Sequence, residues 1–471
     1  MTPIDINTLD ISVGAIMPEI TLAIFGLALI LADLFPKAFG NRQLGGIAIA
    51  GFVATGFLCV LQIWHPQVSF FGMFVVDHYA IFFKLIALLG SAIVIMISMN
   101  YVEDQDIKHG EFYSLIVFAT LGMLFLISAN DLVLLFVGIE TIAISSYLLA
   151  GLNINKFSSS EAAIKYFILG AFSSGFLLYG IVLLYGVTGS LNFLEIKEYF
   201  KQTPELSQMV WLGIAMLVIG LSFKVGLVPF HFWVPDVYEG APTPITAFFS
   251  IGPKIATLAV FIRVLHEALA SVQEQWTMLF WVLAAVTMTL GNIAAVFQTN
   301  IKRMLAYSSI AHAGYIFVAI VAGNELGIAS IMFYLFAYIF MNLGAFAIVI
   351  SLAHKDKEFL EIKDYSGLAF KHPFLAFAMA VFMLSLAGVP PTAGFIGKFY
   401  IFGAAIKSGY IILAVIAVIN SVISVFFYMR VTVMMYMKQV DFIIKPKITT
   451  GVLSVLVFSV WGTLFFGIFP G

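Results

Sequence analysis

The sequence predicts an all-α polytopic membrane protein of about 14 transmembrane helices. Three observations predict it. Hydrophobic residues make up 62% of the 471 positions and charged residues only 10%. Mean hydropathy is +1.06, and a soluble chain of this length cannot hide so much apolar surface. The apolar residues also run unbroken for about 20 positions at a time, the length of a helical span. They do not alternate as barrel strands would.

On this scale the spans fall at 12–34, 44–63, 78–99, 112–129, 131–151, 161–187, 206–240, 241–267, 276–297, 302–322, 326–352, 373–407, 410–437 and 449–469. The seventh and twelfth are too long for one crossing and contain internal Gly and Pro. No stretch is polar and long enough for a soluble domain. The acidic start (Asp5, Asp10) and a first run long enough to span argue against a cleavable signal peptide. The single cysteine, Cys59, excludes a disulfide framework and gives no sign of a zinc or iron–sulfur site.

Basic residues orient the chain. Alternate connections hold 13 (Lys37, Arg42, Lys108, Lys156, Lys302, Arg303 and seven further on), against 4 on the other side. The rich side is expected to be cytoplasmic. An even number of spans then puts both termini on the non-cytoplasmic side. In LNFLEIKEYFKQ, Ile196, Tyr199 and Phe200 form the stripe of an interfacial helix. HKDKEFLEIKDYSGLAFKH (354–372) is the most charged segment and is expected to be a solvated cytoplasmic loop.

The two overlong spans share text: KVGLVPFHFW (224–233) and SLAGVPPTAGFIGKFY (385–400). Each places Gly shortly before Val-Pro. Proline deletes a backbone donor, and in lipid such a break is tolerated where protein or water lines a cavity. Paired interrupted spans point to internal repeats and to a transport site. The breaks are five spans apart, and an odd offset inverts the copies. The expected organisation is therefore 1–111, a three-helix segment; 112–267 and 276–437, two inverted five-helix repeats; and 438–471, a final helix.

Charges inside the spans single out Glu140, Lys165, Lys224, Lys254 and Lys398. Each costs about 2.5–3.5 kcal/mol at a helix centre. Desolvation disfavours the charged form of an amine, and an amine that can lose its proton can pass it on. A static pair of Glu140 with Lys165 or Lys224 is the structural alternative. It leaves Lys254 and Lys398 without an acid. Glu19 and Lys84 could pair within the first three helices or line a partner contact. Asp33, Asp131 and Glu161 sit at span ends, as caps or solvated groups. His231 follows the first break and His312 lies in the tenth span. Both are open between hydrogen-bonded core residue and proton relay. Ser308 and Ser309 could hold water near His312. GFIGKFY is no phosphate loop, since Phe399 stands where Ser or Thr is needed. No cofactor site is visible.

HFWVPDVYEGAPTPITAFFS (231–250), with Lys224 upstream and Lys254 downstream, resembles the antiporter-like subunits of respiratory complex I. NIKRMLAYSSIAHAGY (300–315) and GVPPTAGFIGKFYIF (388–402) resemble the same family. The resemblance implies a proton-translocating subunit. In it Glu140 and Lys165 tune Lys224, Lys224 and Lys254 are central relay residues, and Lys398 lies at the exit. It also implies no cofactor in this chain, with flavin and iron–sulfur clusters in partner subunits. The implied partners are the other membrane subunits, including a neighbouring antiporter-like one, and the lipid bilayer of a bacterial inner membrane, with no nucleic acid. Mrp-type sodium–proton antiporter and membrane-bound hydrogenase subunits share the repeat and stay open. Lys398 and the span count set the chain apart from complex I members with glutamate there or with a long lateral helix.

Overall fold

The computed structural model describes residues 11–107, 109–203, 205–355, 357–438 and 444–470. Asp5, Asp10 and Lys108 of the sequence reading lie outside them. The first six spans are α1 (Met17–Asp33), α2 (Asn41–Leu61), α3 (His78–Asp104), α4 (His109–Ile127), α5 (Leu132–Ala150) and α6 (Phe157–Thr188). A small hairpin, β1 (Gln67–Ser69) and β2 (Phe74–Val76), joins α2 to α3. The amphipathic α7 (Phe193–Gln202) buries Phe193, Ile196 and Phe200, with Tyr199 half-buried.

The seventh span divides into α8 (Gln208–Val225) and α9 (Trp233–Gly240). Then follow α10 (Thr243–Arg263), α11 (Gln273–Val296), α12 (Ile301–Ala322) and α13 (Glu325–Ser351). After the short α14 (Leu368–Lys371), the twelfth span divides into α15 (Pro373–Ala387) and α16 (Ala393–Lys407). The last spans are α17 (Ile411–Met437) and α18 (Thr450–Ile468). Among the described residues, 13 helices are long and apolar enough to cross a membrane. The fourteenth crossing is the pair α15 and α16, each too short alone.

Side-chain caps start many spans. Asp77 accepts from Ala80 N–H, Asp131 from Val133, Asn300 from Lys302 and Arg303, and Asn324 from Gly327. Asp131 is thus the cap its position suggested. The core is made of α10, α12 and α13, whose central windows are 100%, 94% and 89% buried, against 39% for α1 or α17. The helices carrying Lys254 and His312 are therefore the two most enclosed within this chain.

Without a hydrophobic drive between helices in lipid, small residues set the closest approaches. A Cβ on Gly314 of α12 would lie 2.6 Å from Met288 N of α11, and one on Gly291 would lie 2.8 Å from Ala311 N. Backbone cannot yield as a side chain can. Gly314→Ala is expected to cost about 1–3 kcal/mol by overpacking, read as a lower thermal midpoint in detergent.

The segment 354–372 departs from the solvated loop expected. Ile362, Tyr365 and Leu368 are buried. Ile301 N–H bonds to Leu360 O and Ile362 N–H to Thr299 O, both at 2.8 Å. Apolar residues spaced among the charges pin the segment against the start of α12. Glu358 turns inward to Tyr101, Lys156 and Thr243.

Candidate functional site

The two breaks are built alike. Gly226 (φ 83°) and Gly388 (φ 87°) take the left-handed conformation that ends a helix. Leu227 N–H bonds back to Ser222 O and Val389 N–H to Leu384 O, both at 3.0 Å. A proline follows each, and it cannot continue the helix. The halves stay joined. Trp233 Nε1 of α9 donates to Phe223 O of α8 at 2.9 Å, and Gly394 N–H of α16 donates to Ser385 Oγ of α15 at 3.1 Å.

Lys224 sits on the last turn of α8. Its ammonium donates to Ser174 Oγ at 3.2 Å and lies 3.9 Å from Glu140 Oε1. Ser174 in turn donates to Glu140. Lys398 lies beyond the second break but folds back. It donates to Leu386 O at 3.0 Å and Ala387 O at 2.9 Å, the free carbonyls of α15, and to Ser421 Oγ at 3.1 Å. Lys224 thus turns to Ser174 and Glu140 on neighbouring helices, whereas Lys398 bonds the carbonyls at the C-terminal mouth of a half-helix. Unpaired carbonyls make that end negative.

Lys254 follows Pro253 inside α10. Proline has no N–H to give Phe249 O, one turn back. Tyr238 OH fills that place at 2.9 Å, and its ring centre lies 5.7 Å from the Lys254 ammonium. Lys254 itself donates to Ser309 Oγ at 2.5 Å. His312, one turn along α12, binds Tyr334 OH through Nδ1 and Tyr428 OH through Nε2 at 3.0 Å. Tyr428 also meets Ser308 Oγ at 2.5 Å. A cavity of 10 Å³, lined by Ser250, Lys254, Ser309, His312 and Tyr338, joins the lysine to the histidine. That is room for about one water. Beyond it the Tyr315 ring lies 4.8 Å from Lys398 Nζ. The polar groups thus gather in clusters around Lys224 with Glu140, Lys254 with His312, and Lys398.

The structure corrects one pairing. Lys165 does not meet Glu140. It is 41% exposed and bonds to Glu161 and Asp236, each at 2.8 Å. Asp236 also takes Arg303 at 2.8 Å, and Arg303 takes Glu239 at 2.7 Å. This network was not foreseen. Its signal was the spacing of Asp236 and Glu239, one turn apart on a short half-helix. His231 is buried beside Phe232, and among the described residues none of its hydrogen bonds reaches Lys224 or Lys254. Glu19 and Lys84 do pair, at 2.7 Å with both side chains fully buried, between α1 and α3. Ser308 and Ser309 use their hydroxyls on Tyr428 and Lys254.

Residues 129–424 match the family described as NADH:quinone oxidoreductase/Mrp antiporter, TM. The NADH-quinone oxidoreductase subunit N of Trichlorobacter lovleyi is 46% identical, over 98% of this chain and 95% of that protein. Subunit N of Rhodospirillum rubrum is 42% identical, over 90% and 88%. A chain of respiratory complex I from Thermus thermophilus with bound aureothin has a TM-score of 0.82 at 32% identity, covering 97% of this chain and 98% of that one. A chain of the Mrp complex from a Dietzia species has a TM-score of 0.84 at 20% identity, covering 98% and 95%. The latter shares the fold, and sequence identity separates the two. The chain belongs to the NADH:quinone oxidoreductase/Mrp antiporter membrane family, within its branch of complex I N subunits.

Proposed function

We propose a route for the protons that this complex I subunit translocates. They enter from the cytoplasm near the first break and pass Lys224, His231 and Lys254. They cross beside His312 and leave by Lys398. One observation supports this route above the others. Each of the three lysines on this route donates to a serine hydroxyl: Lys224 to Ser174, Lys254 to Ser309 and Lys398 to Ser421. A hydroxyl both accepts and donates, so it can hand a proton on.

Glu140 gates the first lysine. At 3.9 Å a unit charge pair is worth about 4 kcal/mol at an effective dielectric of 20. A neighbouring subunit that draws charge from Glu140 removes that support and drives the proton off Lys224. Lys165 acts one step away, through Asp236 on α9. The matching breaks support inverted repeats at 112–267 and 276–437. The basic connections support a bacterial inner-membrane topology with both termini away from the cytoplasm. Flavin and iron–sulfur clusters belong to partner subunits, and the redox work reaches this chain as charge rearrangement at a neighbouring membrane subunit.

The test is Glu140→Gln, Lys224→Met and Lys398→Met in membrane vesicles with assembly verified. Proton translocation is expected to fall about tenfold or more in each. Normal pumping in all three assembled variants would sink the route. Loss of assembly alone would indicate a spacer, and sodium-dependent transport would indicate an antiporter.

A further inference from the structure

Lys302 was counted with the loop cations, yet it is 1% exposed. Its ammonium donates to Ala241 O at 2.6 Å. Among the described residues it forms no ion pair with an acid. Lys254 and Lys398 have the same character: a buried amine whose acceptors are neutral.

Glu358 supplies the nearby negative charge. Tyr101 OH, Thr243 Oγ1 (3.1 Å) and Lys156 Nζ (3.1 Å) hold its carboxylate. Burial pushes that carboxyl up, but the charges of Lys302 and Lys156 and the Tyr101 hydrogen bond outweigh it and hold it below the usual range. The group is therefore an anion at the first turn of α10, where a helix favours negative charge.

Two polar rows run inward from this end. On α10, Thr243, Thr246, Ser250 and Lys254 recur at helical spacing on one face, spanning about 16 Å along the axis. On α12, Lys302 and Ser309 are two turns apart on one face. The rows meet where Lys254 donates to Ser309 at 2.5 Å. All six side chains are at most 5% exposed. Thr243 bonds to Glu358, and Thr246 donates to Tyr238 O at 2.7 Å. Ser250 donates to Ala247 O and accepts from Asn342 Nδ2, both at 2.6 Å. Ser250 and Ser309 line the cavity that holds Lys254 and His312.

We propose that Lys302, countered by Glu358, is a proton-loading site that feeds Lys254 along the seam between α10 and α12. The ammonium of Lys302 gives a proton to the hydroxyl row, and the neutral amine of Lys254 receives one at the other end. Lys302 then regains its proton from bulk water at the connecting face. Lys254 takes protons from this seam as well as from Lys224, and each cycle needs both, so neither entry replaces the other. It rests on the relay role proposed for Lys254.

The test uses the assembled complex in liposomes. Lys302→Arg keeps the charge and the donors, but a guanidinium does not release its proton. Translocation is expected to fall about tenfold in both Lys302→Arg and Lys302→Met. Near-normal pumping by Lys302→Arg would show that the side chain only braces Ala241 and Glu358, and would overturn the proposal. Thr246→Val and Ser250→Ala interrupt the row. Reduced pumping supports the seam, and normal pumping in both overturns it even where the Lys302 variants fail to assemble. Lys254→Arg separates the two readings. If it pumps normally, the relay itself fails. If it is blocked while Lys302→Arg pumps, the loading site alone fails.

Discussion

Lys254→Met is expected to abolish proton translocation, a loss of about tenfold or more, in a complex that still assembles. The ammonium lies in α10, the most enclosed helix, and donates to Ser309 at 2.5 Å with no acid paired to it among the described residues. A cation at such a depth costs about 2.5–3.5 kcal/mol. Methionine fills much of the same space and removes that cost, so folding is maintained or improved. Ser309 can turn its hydroxyl to another acceptor. Lys254→Arg separates charge from proton transfer, because arginine keeps the first and cannot perform the second. Both variants should therefore fail alike. The measurement is the initial rate of acidification in inverted vesicles, against quinone reduction with an uncoupler present. Wild-type acidification by assembled Lys254→Met enzyme would contradict the role.

Lys84→Met is expected to cost about 3–5 kcal/mol of stability, because it strands the buried Glu19 carboxylate. The pair is 2.7 Å apart and fully enclosed between α1 and α3, with the Phe74 ring 4.8 Å from the ammonium. Glu19→Leu alone should cost a similar amount. The double variant should recover most of it, since a buried pair replaced by apolar groups is close to neutral. Melting of the detergent-purified complex and retention of this subunit measure the difference. The pair lies outside residues 129–424, which match the transporter family. Pumping by the double variant should therefore stay near normal. A double variant that assembles but does not pump would move Glu19 and Lys84 into the proton route.

The breaks were legible because proline and glycine act locally. Pro229 and Pro390 cannot donate to a helix wherever they are placed, and Gly226 and Gly388 mark its end in either copy. The buried lysines were legible because a charge in a run of 20 apolar residues is conspicuous. Pairing was not legible. Glu140 could have met Lys165 or Lys224, and the choice depends on which faces of α5, α6 and α8 turn together. Lys302 and Glu358 were hidden for the opposite reason. Their neighbours in sequence are polar, so they read as solvated until the 354–372 segment folded against α12.

By itself, then, the sequence determined the spans, the two interruptions and the lysines near them, since hydropathy and backbone chemistry operate within one helix. Only the tertiary structure decided that Lys398 reaches back to the carbonyls of α15 and that Lys165 serves Asp236. It also decided that Lys254 and His312 share one cavity. Those outcomes depend on helix rotation and close approach, which follow from packing among α10, α12 and α13 and cannot be read from any one of them.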